Sequence, residues 1–144
     1  MGVEENKAAM RRFLEAAVMH ARSEIEHIHD HLAPDVVIHT GFTLPTPGDA
    51  GRLHDEVRRY GSALPDMDME IDEILAEGDL VAAHVSTGGT HQGTFEHPEE
   101  SVEGTGSRVD AGVLVLCRFQ DGKVAELWGY SALPERIRGN ASPD

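Results

Sequence analysis

Apolar side chains recur every third or fourth position through the N-terminal part of the chain and every second position after it. The chain therefore reads as helices followed by strands. Met10, Phe13, Leu14, Ala17 and Val18 predict an amphipathic helix over residues 4–22. Ser23 is placed to cap a second, shorter helix, with Ile25, Ile28 and Leu32 on its buried side and Pro34 just past its end. Val36-Val37-Ile38 reads as a strand, and the following GFTLPTPGD as a loop. Leu53, Val57, Tyr60 and Leu64 mark a third helix that stops before Pro65.

Beyond Pro65 the period changes to two. Met67, Met69 and Ile71 alternate with Asp68, Glu70 and Asp72, the pattern of a half-buried strand. Glu77-Gly78-Asp79 makes a turn, and Leu80 to Thr90 reads as a long strand. His97 to Ser107 is polar, acidic and glycine-bearing, which predicts a mobile loop. Ala111 to Tyr130 predicts two long strands joined by a tight turn at Asp121-Gly122, and residues 139–144 a frayed tail. Helices first and antiparallel strands after define an α+β class: three N-terminal helices packed on a curved antiparallel sheet, in one domain spanning 1–144.

The row Val109, Ala111, Val113, Val115 and Cys117 shares one face of a strand and carries no group suited to proton transfer. It would line an apolar core or cavity. Charge narrows the partners: 12 basic against 26 acidic residues give −14, which repels phosphate backbones and anionic lipid. Nucleic acid and membrane are thus excluded as partners, and an apolar small molecule fits. Cys117 is the only cysteine, so neither an intrachain disulfide nor a thiolate metal site can form. No secretory pattern and no membrane-length apolar run is present, so a cytoplasmic protein is expected. His20, Glu24, His27 and His31 share a helix face, but Ile25, Ile28 and Leu32 take the buried side; these histidines are expected in solvent, with no metal and no cofactor.

Several segments in order resemble the SnoaL-like polyketide cyclases of the nuclear-transport-factor-2-like superfamily. They are Asn6-Lys7 with Arg11-Arg12-Phe13, Leu32-Ala33-Pro34-Asp35-Val36-Val37 with His39, Leu64-Pro65-Asp66, and Ala76-Glu77-Gly78-Asp79. Gly89-Thr90-His91, Gly93, Phe95, Arg118-Phe119 with Asp121-Gly122-Lys123, and Glu126-x-Trp128 complete the series. The resemblance implies a cone-shaped α+β barrel with a pocket between helices and sheet. It also implies an acid–base Asp where this chain has Val115. In the epoxide-hydrolase branch it implies an Arg and an Asp where Val85 and Thr87 stand, and a further Asp at Gly129.

With those carboxylates replaced, the expected chemistry is a ring closure that needs little proton transfer, such as an intramolecular [4+2] cycloaddition of a linear polyene. Tyr60 or Thr87 would donate a hydrogen bond to a substrate carbonyl. Ile38, Leu64, Met69, Val85, Val113, Val115, Cys117 and Trp128 would bind the substrate. Two alternatives stand beside it: an acid–base enzyme of the same fold using Asp110, Glu126 or a histidine, and a non-catalytic binder of apolar ligands. His84, Leu114 and Leu116 fall on the opposite face of the sheet and predict a homodimer.

Overall fold

The structure, a computed structural model, describes residues 2–22, 28–40, 47–96 and 100–139. Helix α1 (Val3–Ala21) leads through a 3-10 turn (Ile28–His31) into strand β1 (Leu32–Thr40) and helix α2 (Ala50–Ala63). The strands β2 (Asp68–Glu77), β3 (Leu80–Thr90), β4 (Phe95–Glu96), β5 (Ser101–Val102), β6 (Arg108–Gln120) and β7 (Lys123–Ser131) follow, and helix α3 (Leu133–Gly139) closes the described chain. Five strands form one curved sheet in the order β1-β7-β6-β3-β2, while β4 and β5 pair separately.

The expected α+β arrangement of helices on a curved sheet holds, with three differences in detail. β1 runs parallel to β7, so the sheet is mixed, and it stays open rather than closing as a barrel. The helix expected around Leu53 to Leu64 is present as α2, and a further helix, α3, which the sequence reading did not include, follows the last strand. Leu32 begins a strand, and residues 28–31 form only a 3-10 turn; the rest of the expected second helix, including Ser23 and Ile25, lies outside the described residues. Pro34 accounts for the early strand. It lacks an N–H and disfavours helical geometry at Ala33. Its missing donor falls where the β1–β7 register shifts, between Leu32 and Val37.

Local chemistry sets the remaining boundaries. The Asp49 carboxylate accepts from the Arg52 N–H and caps α2. Asp121 and Gly122 both take positive φ, the geometry of a two-residue hairpin turn between β6 and β7. Within the expected mobile segment 97–107, Ser101–Val102 pair with Phe95–Glu96 and Val102 is buried, so this stretch is anchored at that point. The start of that segment, and the expected frayed tail beyond Gly139, lie outside the described residues.

Helix α1 packs across α2, β2 and β3. Met10, Phe13 and Leu14 meet Val81, Ala83, Val85, Val115 and Cys117 from the inner face of the sheet. A second cluster, with Leu64, Phe95, Val102, Val109 and Ile137, fills the other end under α3. The helices α1 and α2 meet where Gly61 lies against the end of α1: a Cβ there would fall on the carbonyl of Ala21. In a free helix alanine is better than glycine by about 1 kcal/mol. Here the obstructing atom is backbone and cannot swing away, so the steric cost wins. Gly61→Ala should lower stability by about 1–3 kcal/mol in urea unfolding; an unchanged or raised midpoint would show that the helices do not approach this closely.

Candidate active site

A cavity of about 380 Å3 opens between α1, α2 and the inner face of the sheet. Phe13, Leu14, Ala17 and Val18 of α1 form one wall, Leu53 and Val57 of α2 a second, and Met67, Met69, Val85, Val113, Val115 and Leu127 the floor. The floor is apolar because alternate residues of β6 and β3 face the helices, as the period-two pattern requires.

Polar groups gather where α2 meets the ends of β1 and β7. Tyr60 and Glu56 lie one helical turn apart on α2, and both line the cavity beside Thr40 and Ser131. The Thr40 hydroxyl donates to Glu56 Oε1 at 2.6 Å. The Ser131 hydroxyl acts on the Tyr60 phenol oxygen as a donor, which favours the ionised form and leaves the phenol's own proton available. Tyr60 also stacks on Phe95, with centroids 5.7 Å apart and planes 9° off parallel. Ser131 Oγ in turn accepts the Leu133 N–H at 3.1 Å, which ties this end of the cavity to the start of α3. Burial, and next the Glu56 carboxylate, push the Tyr60 phenol up to about 12. It therefore stays protonated at neutral pH and serves as a hydrogen-bond donor, not a base. Farther out, Glu135 and Arg138 of α3 border the mouth, and Arg138 pairs with Glu100 at 3.2 Å.

The residues singled out from sequence divide into three groups. Tyr60, Thr87, Met69, Val85, Val113 and Val115 come together around the cavity. Ile38, Leu64 and Cys117 are fully buried and border neither concavity; the first and last belong to the core under α1, Leu64 to the second cluster. Burial holds the Cys117 thiol protonated, which leaves it inert. Trp128 and Asp110 lie elsewhere altogether. Trp128 sits on the outer face of the sheet, its ring stacked on His39 at 5.2 Å, because alternation on β7 turns it away from Leu127 and Gly129. Asp110 is exposed at the sheet end, where it pairs with Arg108 at 2.9 Å; Arg108 also holds Asp68.

Thr87 lines the cavity but donates its hydroxyl to the Asp68 carbonyl at 2.7 Å, so Tyr60 is left as the better donor of the two. The other acid–base candidates face away as well. Glu126 Oε2 accepts from His39 Nε2 at 2.8 Å on the outer face, and His84 lies beside Asp72 there. His91 is fully buried and borders neither concavity. His20, expected in solvent, is instead buried against His54 at 4.1 Å, and His54 stacks on His29. The first pair of rings is tilted by 58° and the second stacked at 20°, and among the described residues no three His, Cys, Asp or Glu side chains converge to hold a metal.

Glu56 was not among the sequence-derived candidates. Its signal was present: it stands one turn before Tyr60 on the stripe that also carries Leu53 and Val57. It is one of several charges in this helix, and nothing in its residue type sets it apart.

The family model of the SnoaL-like polyketide cyclases matches residues 8–133, and the chain belongs to that family. Among solved structures it is similar to AclR of Streptomyces galilaeus, a candidate hydroxylase (30% identity, 99% of this chain and 89% of that one, TM-score 0.77). It is also similar to IdmH of Streptomyces antibioticus, a candidate polyketide cyclase (25% identity, 90% and 95%, TM-score 0.71). A SnoaL-like protein of Jannaschia sp. CCS1 shares the fold at 17% identity (99% and 95%, TM-score 0.74). No curated protein matches the chain in sequence.

The raised phenol gives a titration prediction. In a Tyr130→Phe background, tyrosinate absorbance should rise near pH 12 rather than 10. Between those values the native phenol keeps a proton that the unfolded chain releases, so stability should fall as pH rises through this window. Ionisation near pH 10 in the native protein would place Tyr60 in water.

Proposed function

We propose that the chain is a polyketide cyclase that closes a ring on a linear polyene in the inner cavity, by an intramolecular [4+2] cycloaddition. The observation that carries this reading is Val115, an apolar residue of the cavity floor at the position the family resemblance gives to the acid–base Asp. A cycloaddition forms two carbon–carbon bonds between diene and dienophile without moving a proton. Its barrier is largely the ordering of a flexible chain, which a shaped apolar cavity supplies by orientation. Tyr60 donates a hydrogen bond to a carbonyl conjugated with the dienophile and lowers the barrier further.

Glu56 supports a second reading. A carboxylate one turn from a protonated phenol, in an otherwise apolar cavity, is the pair an aldol closure needs as base and acid. The likeness to a candidate hydroxylase adds a third product class. Product mass and hydroxyl content separate them. A cycloaddition gives an isomer with no new hydroxyl, an aldol addition gives an isomer with a new hydroxyl or, after dehydration, a product lighter by one water, and hydroxylation gains one oxygen. For the cycloaddition, Tyr60→Phe should lower kcat about tenfold and Glu56→Gln by no more than that. A loss of about 100-fold or more with Glu56→Gln would assign it as the base and overturn the pericyclic reading.

The outer face supports a homodimer. A groove of about 1080 Å3 there is lined by Leu75, Leu114, Leu116, Trp128 and Tyr130, and Leu75 and Leu114 are 68% and 58% exposed. Exposed leucines on a sheet face mark a surface that another surface covers. Light scattering should give twice 15.7 kDa, and Leu114→Asp should halve it; a 15.7 kDa particle at micromolar concentration would contradict the dimer.

A further inference from the structure

The charges around the inner cavity restrict the head group of whatever enters it. Glu56 lines the cavity and Glu135 borders its mouth. Among the described residues lining it, the one Lys or Arg, Arg138, is engaged by Glu100 at 3.2 Å. The body behind them carries −14. A ligand with a free carboxylate would bring a further negative charge into this field in a low-dielectric cavity, where like charges repel most strongly.

Glu56 is also oriented. The Thr40 hydroxyl donates to Oε1 at 2.6 Å, and an ionised carboxylate accepts several more hydrogen bonds than that one. It is therefore a fixed acceptor at the polar end of an apolar cavity, with the Tyr60 donor one helical turn away on the same face.

Resting on the cyclase reading above, we propose that this cavity selects neutral polyenes that carry a hydroxyl at the end docked against α2, and rejects free carboxylic acids, with Glu56 as the specificity-determining residue. The hydroxyl donates to Glu56 and sets the register of the chain in the cavity. The Tyr60 phenol is then presented to a carbonyl on the same substrate. The class is thus hydroxylated esters, thioesters, ketones or lactones.

Three fluorescent tetraenes test this without turnover: parinaryl alcohol, methyl parinarate and parinaric acid, each titrated into the intact protein at pH 8. The alcohol should bind about tenfold more tightly than the ester, the increment of a hydrogen bond to a charged acceptor, and the acid should bind weakest. In Glu56→Gln the acid should gain at least tenfold relative to the alcohol. Thr40→Val keeps the charge but removes the anchor; it should erase the alcohol's advantage over the ester while the acid stays excluded. A ligand seated on the outer groove would not respond to Glu56→Gln, because Glu56 lines the inner cavity alone whereas Thr40 borders both. Equal affinities of acid and alcohol for the wild type, or ratios unchanged in both variants, would overturn the selectivity while leaving the apolar-pocket reading intact. Failure of all three tetraenes to bind would overturn both.

Discussion

Strand β6 is the central strand of the sheet, and it has to satisfy two surfaces at once. Its inner row, Val109 to Cys117 in alternate positions, is removed from water by the helices, while Leu114 and Leu116 face the opposite way. A one-residue slip in its pairing with β3 or β7 would exchange these rows. The register is therefore what keeps an apolar floor under α1 and α2, and through that floor it sets the character of the cavity. The close contact between Gly61 and Ala21 fixes the other boundary, because it sets how near α2 comes to the end of α1 and hence where Glu56 and Tyr60 stand above the floor.

Strand periodicity made much of this legible. The rows on β3 and β6, the Asp121-Gly122 turn and the extent of α1 and α2 all follow from spacing and turn chemistry, which are local. Three things did not. The parallel pairing of β1 with β7 joins residues far apart in sequence, and nothing in Val36-Val37-Ile38 states its partner. Helix α3 is short, seven residues, so no periodicity marks it until Leu133 and Ile137 find the second core cluster. Trp128 was assigned to the cavity by residue type, whereas its parity on β7, opposite to Leu127, places it outside.

Glu56 shows the same limit from the other side. Whether a helical glutamate meets water or a cavity depends on the width of the apolar stripe and on what β1 and β7 bring to it. Thr40 and Ser131, which end those two neighbouring strands, turn that corner into the polar end of an apolar space. The result is a cavity with largely apolar walls whose Glu56, Tyr60 and Ser131 lie at one end. That asymmetry favours catalysis by shape and a single hydrogen bond over catalysis by proton shuttling. Histidines are numerous in the chain, yet among the described residues none lines this cavity.

The most direct test is the pH dependence of ring closure at saturating substrate, measured in single turnover from about pH 6 to 9. A reaction governed by chain ordering and a phenol that stays protonated throughout this range should give a flat profile. A sigmoidal or bell-shaped profile with an inflection inside the range would mean that a titrating side chain moves a proton in the rate-limiting step, and the account of the cavity as a shape catalyst would be wrong.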